Sequence, residues 1–302
     1  MTSGENKAGM ARNSLVPRVG RLVRMLLKSK TGTLGLIIVV GVVVVAVFAP
    51  LFAPHDPAYQ NHDAMLQPPA WQEGGSNQYI LGTDNLGRCI LSRIIYGARI
   101  SLIVGVASVL LAGAVGLVIG LVSGYFGGVV DSVSMRIVDT FLSVPSILFA
   151  LVLIAVTGPG VGTLVIALGL TNWVTYARLV RGEVLTIRER DFVRAARSIG
   201  VRDGLIIVRH ILPNVLSSFI VVSAMTVATT IISEASLSFL GLGIQPPISS
   251  WGVMLSVGRN YLATSWWIAT FPGMAITITV LGIMFLGDWL RDVLDPRLQG
   301  NR

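Results

Sequence analysis

The composition of this 302-residue chain excludes an ordinary soluble globular protein. Hydrophobic residues make up 53% of it and charged residues only 13%, and the mean hydropathy is +0.75, so charges are too few to cover a water-facing surface. The net charge of +8 is gathered into basic segments beside apolar runs, which is typical of a membrane protein and not of a nucleic-acid-binding surface.

Six apolar runs approach or reach the roughly 20 residues that a membrane-spanning helix needs. They cover residues 33–52, 100–125, 141–156, 161–176, 216–233 and 271–285. The first follows a basic leader and lacks a small-residue cleavage pattern, so we expect it to stay as an anchor. The sequence therefore predicts an all-α integral membrane protein with six transmembrane helices.

Basic residues predict the orientation of these helices. Arginines and lysines at 12–30 precede the first run, and eight arginines between Arg178 and Arg209 follow the fourth. With six spans both segments fall on one side, and the positive-inside rule makes that side cytoplasmic. Both termini are then cytoplasmic, although Arg88, Arg93 and Arg99 lie on the other side against this trend.

The expected organisation begins with a cytoplasmic arm, whose stretch 22–28 is either an amphipathic segment at the headgroups or a solvated tail. An extracytoplasmic loop follows the first span. Apolar spacing from Asp84 or Asn85 onward predicts a helix in this loop, lying flat on the membrane or packed against other outer loops. The predicted segments are 1–31 for the arm, 32–53 for the first helix, 54–98 for the loop and 99–302 for a five-helix core.

Two connections within the core have features of their own: a cytoplasmic loop at 178–213 and an extracytoplasmic loop at 241–270. In the outer one, Pro246-Pro247 stops a helix, and 253–261 is expected to form a short one. Its tryptophans are expected either to anchor the chain at the membrane interface or to cap the mouth of a pathway. They are Trp251, Trp266 and Trp267.

The cytoplasmic loop contains a predicted amphipathic helix. Phe192, Ala195, Ala196 and Ile199 follow the i, i+3, i+4, i+7 pattern of one helix face. Two alanines leave little side chain on that face, so it either docks closely into a partner or packs on its own protein.

The ends of this helix are also predicted. Asp191 is placed to cap its start, and Gly200 to end it in the left-handed conformation. Asp203 is placed to cap a second helix that runs toward Pro213.

Polar residues of the fifth run either line a pathway or serve helix packing. Glu234 is the only acid near the outer end of that run, so it is either functional or the acceptor of a structural hydrogen bond. The possible pathway residues are Ser223, Thr226, Thr229, Thr230 and Glu234.

No catalytic residue, metal site or cofactor is predicted within this chain. The single cysteine, Cys89, cannot form an internal disulfide, and the three histidines form no close-spaced ligand cluster with it. None of the three lysines follows a glycine, which excludes the Gly-Lys of a phosphate-binding P-loop.

The cytoplasmic segment resembles the EAA loop of ABC importer permeases, whose pattern is Glu-Ala-Ala, three residues, Gly, nine residues, Ile, any residue, Leu-Pro. Arg194 stands at the glutamate position and His210 at the isoleucine position, while the alanines, the glycine and the final Leu-Pro match. The resemblance implies a contact with an ATPase through Asp191, Phe192, Arg194, Ala195, Ala196, Ile199, Gly200, Leu212 and Pro213.

Three further stretches resemble the second permease subunit of dipeptide and oligopeptide importers. They are 81–99, 233–243 and 287–296. The first contains the outer-loop motif residues Thr83, Asp84, Gly87 and Arg88, and Cys89 stands where that family usually has Asp.

This resemblance implies a type I ABC importer permease (MetI-like) fold in a prokaryotic inner membrane. The implied partners are a homologous permease, two ATPases that bind ATP and magnesium, and an extracytoplasmic binding protein. The expected cargo is a short peptide, dipeptides first, with oligopeptides, glutathione or nickel and other metal chelates as alternatives. A secondary transporter or ion channel is the alternative from another class, although buried charges in the spans would be expected there.

Overall fold

The computed structural model describes residues 25–27 and 29–294. Most of the predicted cytoplasmic arm, including residues 22–24 and 28 of its stretch 22–28, and the last residues of the 287–296 motif lie outside the described residues. Within the described ranges the chain is helical, apart from loops and one isolated bridge between Thr83 and Cys89.

Eleven α-helices are numbered here in chain order over the described residues. A π-helical turn at Ile207–Ile211 joins α8 to α9 without a break. The helices are α1 Lys30–Val47, α2 Ala49–Phe52, α3 Ile90–Phe126, α4 Gly128–Leu142, α5 Ser146–Thr157, α6 Val161–Ile187, α7 Asp191–Ser198, α8 Asp203–Ile206, α9 Leu212–Phe239, α10 Trp251–Gly258 and α11 Trp267–Leu294.

Five of these segments are long and apolar enough to cross a membrane: α1, α3, α6, the continuous α8–α9 and α11. The pair α4 and α5 makes a sixth if it counts as one broken span, because the two helices meet at 83°. The predicted third span at 141–156 is therefore wrong in its bounds. Pro145 disfavours helical geometry in the residue before it, so the helix breaks there and restarts at Ser146.

The helix predicted from Asp84 or Asn85 onward starts later, because residues 84–89 form a turn and α3 begins at Ile90 and continues as one 37-residue helix. Its first turns pack against the outer loops, the second of the two predicted alternatives, since Ile90 is buried with Met254 and Trp267. Ser92 and Arg93 are buried as well.

The fourth span is also longer than predicted, since α6 runs to Ile187 and not to 176. Arg178 and Arg181 thus lie on a helix and not in a loop. Both form ion pairs with α4: Arg178 with Asp139 at 2.6 Å, and Arg181 with both carboxylate oxygens of Asp131. These pairs let two arginines remain on the helix close to the membrane.

The bundle has two distinct ends. We call residues 53–89 together with 240–266 the loop end, and residues 188–211 the basic end. Helices α3 and α11 run from the loop end to the basic end, while α1 and α9 run the opposite way. In the outer connection, α10 and the 3₁₀ turn Arg259–Tyr261 confirm the short helix predicted at 253–261.

The packing of α3 against α6 depends on three glycines spaced four residues apart. A Cβ atom at Gly116 would lie 2.4 Å from the Cβ of Tyr176, and one at Gly120 would lie 2.6 Å from the Cβ of Val180. The third, Gly124, meets Val184 in the same way. Since ordinary carbon contacts are about 3.5–4.0 Å, only glycine allows this approach of the two backbones.

Helix α1 packs at the periphery against α11. A Cβ at Gly35 would lie 2.7 Å from the backbone nitrogen of Leu286, and one at Gly282 would lie 2.4 Å from Ile38. Most of α1 is otherwise exposed, as expected of a helix that faces lipid on its remaining sides.

Replacing Gly120 with Ala tests the packing of α3 on α6. We expect the free energy of unfolding to fall by about 1–3 kcal/mol, because the added methyl group overpacks the contact with Val180. Gly182→Ala is the matched control, since a Cβ there meets open space on an exposed part of α6. Thermal unfolding of the purified protein in detergent measures both; equal melting temperatures for the two variants would contradict this account.

Candidate functional site

The basic end presents one short helix, α7, whose two sides have different environments. Val193 is 0% exposed and Ala196 is 7% exposed, and both pack into a core cluster formed with α3, α6, α8 and α9. Phe192, Ala195 and Ile199 lie on the outward side, where Ile199 is 80% exposed and Phe192 42%. We call these three residues the exposed ridge.

The prediction that Ala195 and Ala196 share one docking surface is therefore wrong for Ala196. The inward stripe is formed by Val193 and Ala196, three residues apart, and this stripe anchors the helix to its own protein. The sequence pattern was ambiguous because Val193 is also apolar, and only the packing decides which face turns inward.

The predicted end of α7 is confirmed, while the predicted caps at its start and at the start of α8 are wrong. Gly200 has a φ of +78°, and the N–H of Val201 donates to the carbonyl of Ala196 at 3.1 Å, which closes the helix in a Schellman arrangement. Asp191 and Asp203 are the first residues of α7 and α8, and neither preceding residue caps its helix through a side chain. At these positions the carboxylates favour the helix dipole without acting as caps.

Helix α7 is connected to the membrane span α9 through α8 and the π turn. The N–H of Leu212 donates to the carbonyl of Ile207, five residues back, so the helix continues without a break at the proline that follows. Ile206 and Ile211 are buried in the same cluster as Val193. Leu212 is half-buried and Pro213 exposed.

Arg194 and His210, the two departures from the EAA pattern, lie on the surface of this segment. The Arg194 guanidinium is exposed and 3.9 Å from the carboxylate of Glu189, a distance at which an exposed pair contributes little. The His210 ring lies 6.3 Å from the ring of Phe192, so it flanks the exposed ridge.

Three polar contacts that the sequence analysis missed tie this segment to the end of α3. The Tyr125 hydroxyl donates to Asp203 at 2.5 Å, and the Arg197 guanidinium lies over the Tyr125 ring, 5.3 Å from its centroid. Arg188 donates to the carbonyl of Gly124 at 2.9 Å. These residues are 60 or more positions apart along the chain, and no local sequence signal pairs them.

At the loop end, the outer-loop motif is a buried turn organised by Asp84. One of its carboxylate oxygens accepts from the N–H groups of Leu86 and Arg88 at 2.9 and 3.0 Å. The other accepts from the side chains of Arg88, at 2.8 Å, and Arg93. Two buried arginines thus compensate one buried carboxylate, and the turn is fixed to the start of α3.

The other two motif residues give this turn its shape. Thr83 donates to the carbonyl of Ala64 and accepts from the N–H of Gln67 at 2.9 Å. Gly87 has a φ of +72°, and a Cβ there would lie 1.8 Å from the carbonyl oxygen of Asn61. The motif is therefore the internal scaffold of the loop.

Two of the three predicted interface tryptophans are buried and hold the loop end together. The indole N–H of Trp251 donates to the carbonyl of Ile94 at 3.0 Å, and that of Trp267 donates to the carbonyl of Thr83 at 3.1 Å. Of the three, Trp266 alone is exposed. The anchoring role expected for Trp251 and Trp267 is thus replaced by cross-links between segments.

The possible pathway residues of α9 are divided between packing and exposure. Ser223 lies 3.3 Å from the Tyr176 hydroxyl, and Thr230 accepts from Asn172 at 3.4 Å, so both face α6. Thr226 is buried and donates to the carbonyl of Val222. Only Thr229 is exposed.

Glu234 is fully buried and accepts three hydroxyl hydrogen bonds. Ser238 and Ser250 donate to one carboxylate oxygen at 2.9 and 3.0 Å, and Ser101 donates to the other at 3.1 Å. Ser238 and Ser250 in turn accept from the N–H groups of Ile244 and Val253. The structural alternative for Glu234 is therefore the one observed, and it joins α3, α9 and α10.

A bundle of apolar spans with a scaffolded loop end and an exposed ridge at its basic end is the architecture of a multi-pass membrane protein. The family model described as "Binding-protein-dependent transport system inner membrane component" matches residues 116–300. A second model, "N-terminal TM domain of oligopeptide transport permease C", matches residues 19–69.

Curated relatives match over most of their length. The dipeptide transport system permease protein DppC of Escherichia coli K12 is 46% identical over 90% of this chain and 91% of its own. The di/tripeptide transport system permease protein DppC of Pseudomonas aeruginosa is 41% identical over 88% of each chain. The glutathione transport system permease protein GsiD of Escherichia coli O1:K1 is 44% identical over 87% of this chain and 85% of its own.

The chain therefore belongs to the family of binding-protein-dependent transport system inner membrane components. It is an inner-membrane permease of an ABC transport system, a class that works with ATPase and substrate-binding partners. The expected family and permease fold are confirmed, and the secondary-transporter alternative is wrong.

Glu234→Ala is expected to destabilise the loop end. It leaves three serine hydroxyls without their acceptor, at a cost on the order of 1–3 kcal/mol for each buried group. Glu234→Gln is the matched control, because its carbonyl oxygen still accepts from Ser238 and Ser250 while its amide donates to Ser101. Thermal unfolding in detergent should rank wild type and Gln well above Ala; an Ala variant as stable as Gln would show that these bonds contribute little.

Proposed function

We propose that this chain forms half of the pathway of an ATP-driven importer for short peptides, with dipeptides as the principal cargo. The observation that supports this most is the identity of 40–46% to permeases named for dipeptide or di/tripeptide transport. Glutathione is the second candidate cargo, because a permease named for glutathione transport is 44% identical.

The proposed orientation places the basic end in the cytoplasm and the loop end outside. The basic end contains Arg188, Arg190, Arg194, Arg197, Arg202 and Arg209, and the positive-inside rule favours their retention on the cytoplasmic side. The loop end would then receive the peptide from an extracytoplasmic binding protein. A homologous permease would complete the pathway from the other side.

In this proposal two cytoplasmic ATPases bind ATP and magnesium, and the permease itself hydrolyses nothing. One ATPase contacts the exposed ridge of α7. Val193 and Ala196 fix the inner side of that helix to the core, so a push on the ridge moves the core cluster with it. Closure of the ATPases would thus tilt α9, a rigid-body switch between two packed states.

This coupling is tested more directly by a substitution on the exposed ridge than by one at the buried Ala196. A charge at Ala196 would be buried in this protein's own core, whereas Ala195→Asp changes only the outward surface. An unpaired charge buried in a packed interface costs a few kcal/mol, and 1.4 kcal/mol corresponds to a tenfold change, so we expect peptide uptake to fall at least about tenfold.

The measurement uses the complete transporter reconstituted in liposomes with its ATPases and binding protein. ATP-dependent uptake of a radiolabelled dipeptide and the ATPase rate are recorded for wild type, Ala195→Asp and the neutral control Ala195→Ser. Ala195→Ser should retain uptake, and all three should have the same melting temperature in detergent. Full uptake by Ala195→Asp would exclude the ridge as the ATPase contact, and no dipeptide uptake by wild type would exclude the proposed cargo.

A further inference from the structure

A small cleft opens between α5, α6 and α9, with a volume of about 60 Å³. Its remaining lining is aliphatic, and none of its lining residues is charged. Polar side chains from three different helices meet there. They are Ser146, Thr171, Asn172, Ser233 and Ser236.

The cleft extends from the loop end, where Leu240 lines it just after the last residue of α9, to Thr171 and Asn172 within α6. Thr171 and Asn172 are the eleventh and twelfth residues of α6, so they lie about 15 Å along the helix from its first residue. That is about half of the 30 Å hydrocarbon thickness. An amide facing lipid at this depth is unfavourable, and polar residues in membrane spans mostly face a bundle interior or a water-filled cavity.

The hydrogen bonds of the cleft residues determine what they offer to a ligand. Thr171, Ser233 and Ser236 donate their hydroxyl hydrogens to carbonyls of their own helices at 2.8–3.0 Å. Asn172 donates from its amide nitrogen to Thr230 at 3.4 Å. What remains available is acceptor capacity at the hydroxyl oxygens and at Oδ1 of Asn172, together with the second N–H of the Asn172 amide.

These observations differ from the sequence prediction for the pathway. The predicted residues Ser223, Thr226 and Thr230 are occupied in packing α9 on α6 or are buried, and Glu234 is enclosed by serines. The cleft is lined by Ser233 and Ser236 of α9, together with residues of α5 and α6 that the sequence analysis did not single out.

We propose that this cleft is the section of the peptide pathway contributed by this chain, where its oxygens accept hydrogen bonds from the N–H groups and amino-terminal ammonium of a passing peptide. The proposal rests on the proposed function and names the site at which that function contacts its cargo. Acceptors without a fixed charge suit a pathway, because they recognise groups that every peptide carries and bind weakly enough for release.

The size of the cleft fits a brief contact with one part of a peptide. About 10–15 Å³ of such volume holds one water molecule, so 60 Å³ admits a few waters or a peptide N–H group or ammonium in their place. The rest of the peptide would lie in the space between this chain and the homologous permease.

Single cysteines test the proposal, because the chain has one cysteine and it is buried. Cys89→Ser gives a cysteine-free background; Cys89 is the N-cap of α3 with extended backbone, a position that serine favours. Thr171→Cys and Ser236→Cys place thiols in the cleft. Ile166→Cys on α6 and Leu110→Cys on α3 are the controls, since both side chains are exposed and neither lines the cleft.

Each variant is assembled with its ATPases in nanodiscs and treated with a charged, water-soluble methanethiosulfonate reagent. We expect the cleft thiols to react at least tenfold faster than the controls in one nucleotide state, either without ATP or trapped with ATP and vanadate. Dialanine delivered by the binding protein should slow this reaction severalfold. Cleft thiols as inert as the controls in both states would overturn the proposal and would indicate a surface facing lipid or the partner permease.

Uptake of dialanine by the Cys89→Ser background separates the two proposals. If uptake occurs while the cleft thiols stay inert or unprotected, the cleft assignment fails and the proposed function stands. If the background takes up no dialanine although it is as stable as wild type, a peptide cargo is excluded, and the proposed function and the cleft assignment both fail.

Discussion

The close contact of α3 with α6 is the constraint on which the basic end depends. Gly116, Gly120 and Gly124 bring the two helix backbones together over two turns, a distance that any larger residue would increase. Because α3 and α6 end side by side at the basic end, the Gly124 carbonyl lies within hydrogen-bonding distance of Arg188, and the Tyr125 hydroxyl within that of Asp203. In lipid, where apolar side chains gain little by leaving solvent, such packing supplies much of the helix association.

This packing also forms the seat of α7. Leu121 and Tyr125 from α3 and Val180 and Val184 from α6 belong to the core cluster that receives Val193 and Ala196. A helix of eight residues has little stability by itself, so its position is set by that seat and by the Arg197 contact with Tyr125. A force on the exposed ridge is consequently shared between α3, α6 and, through α8, the span α9.

The sequence predicted the apolar character of the spans, the left-handed Gly200 and the position of the short helix α7, since each depends on local composition or backbone geometry. The burial of Ala196 was not predictable, because Val193 and Ile199 make either face of α7 plausible until the rest of the core is known. The turn at Asp84 was mistaken for a helix for a related reason: the apolar spacing from Asp84 or Asn85 onward fits a helix, and only the pairing of Arg88 and Arg93 with a buried carboxylate reveals a turn. Contacts between residues far apart in the chain leave no local pattern.

Helix α9 connects the parts of the molecule that these contacts hold rigid. Glu234 fixes its loop end to α3 and α10, and the π turn joins its other end to α8 and the seat of α7. Ser218, near the basic end, donates to Glu183 of α6 at 2.9 Å. In the middle of α9, Ser223, Thr226 and Thr229 donate to its own backbone, and the hydrogen bonds of Ser223 and Thr230 with α6 are long, at 3.3–3.4 Å. A span that is tightly bound at both ends and weakly bound to α6 in the middle can change its tilt there without breaking its terminal contacts. The cleft borders the loop-end side of that section, where Ser233 and Ser236 flank the fixed Glu234 and Asn172 of α6 meets Thr230.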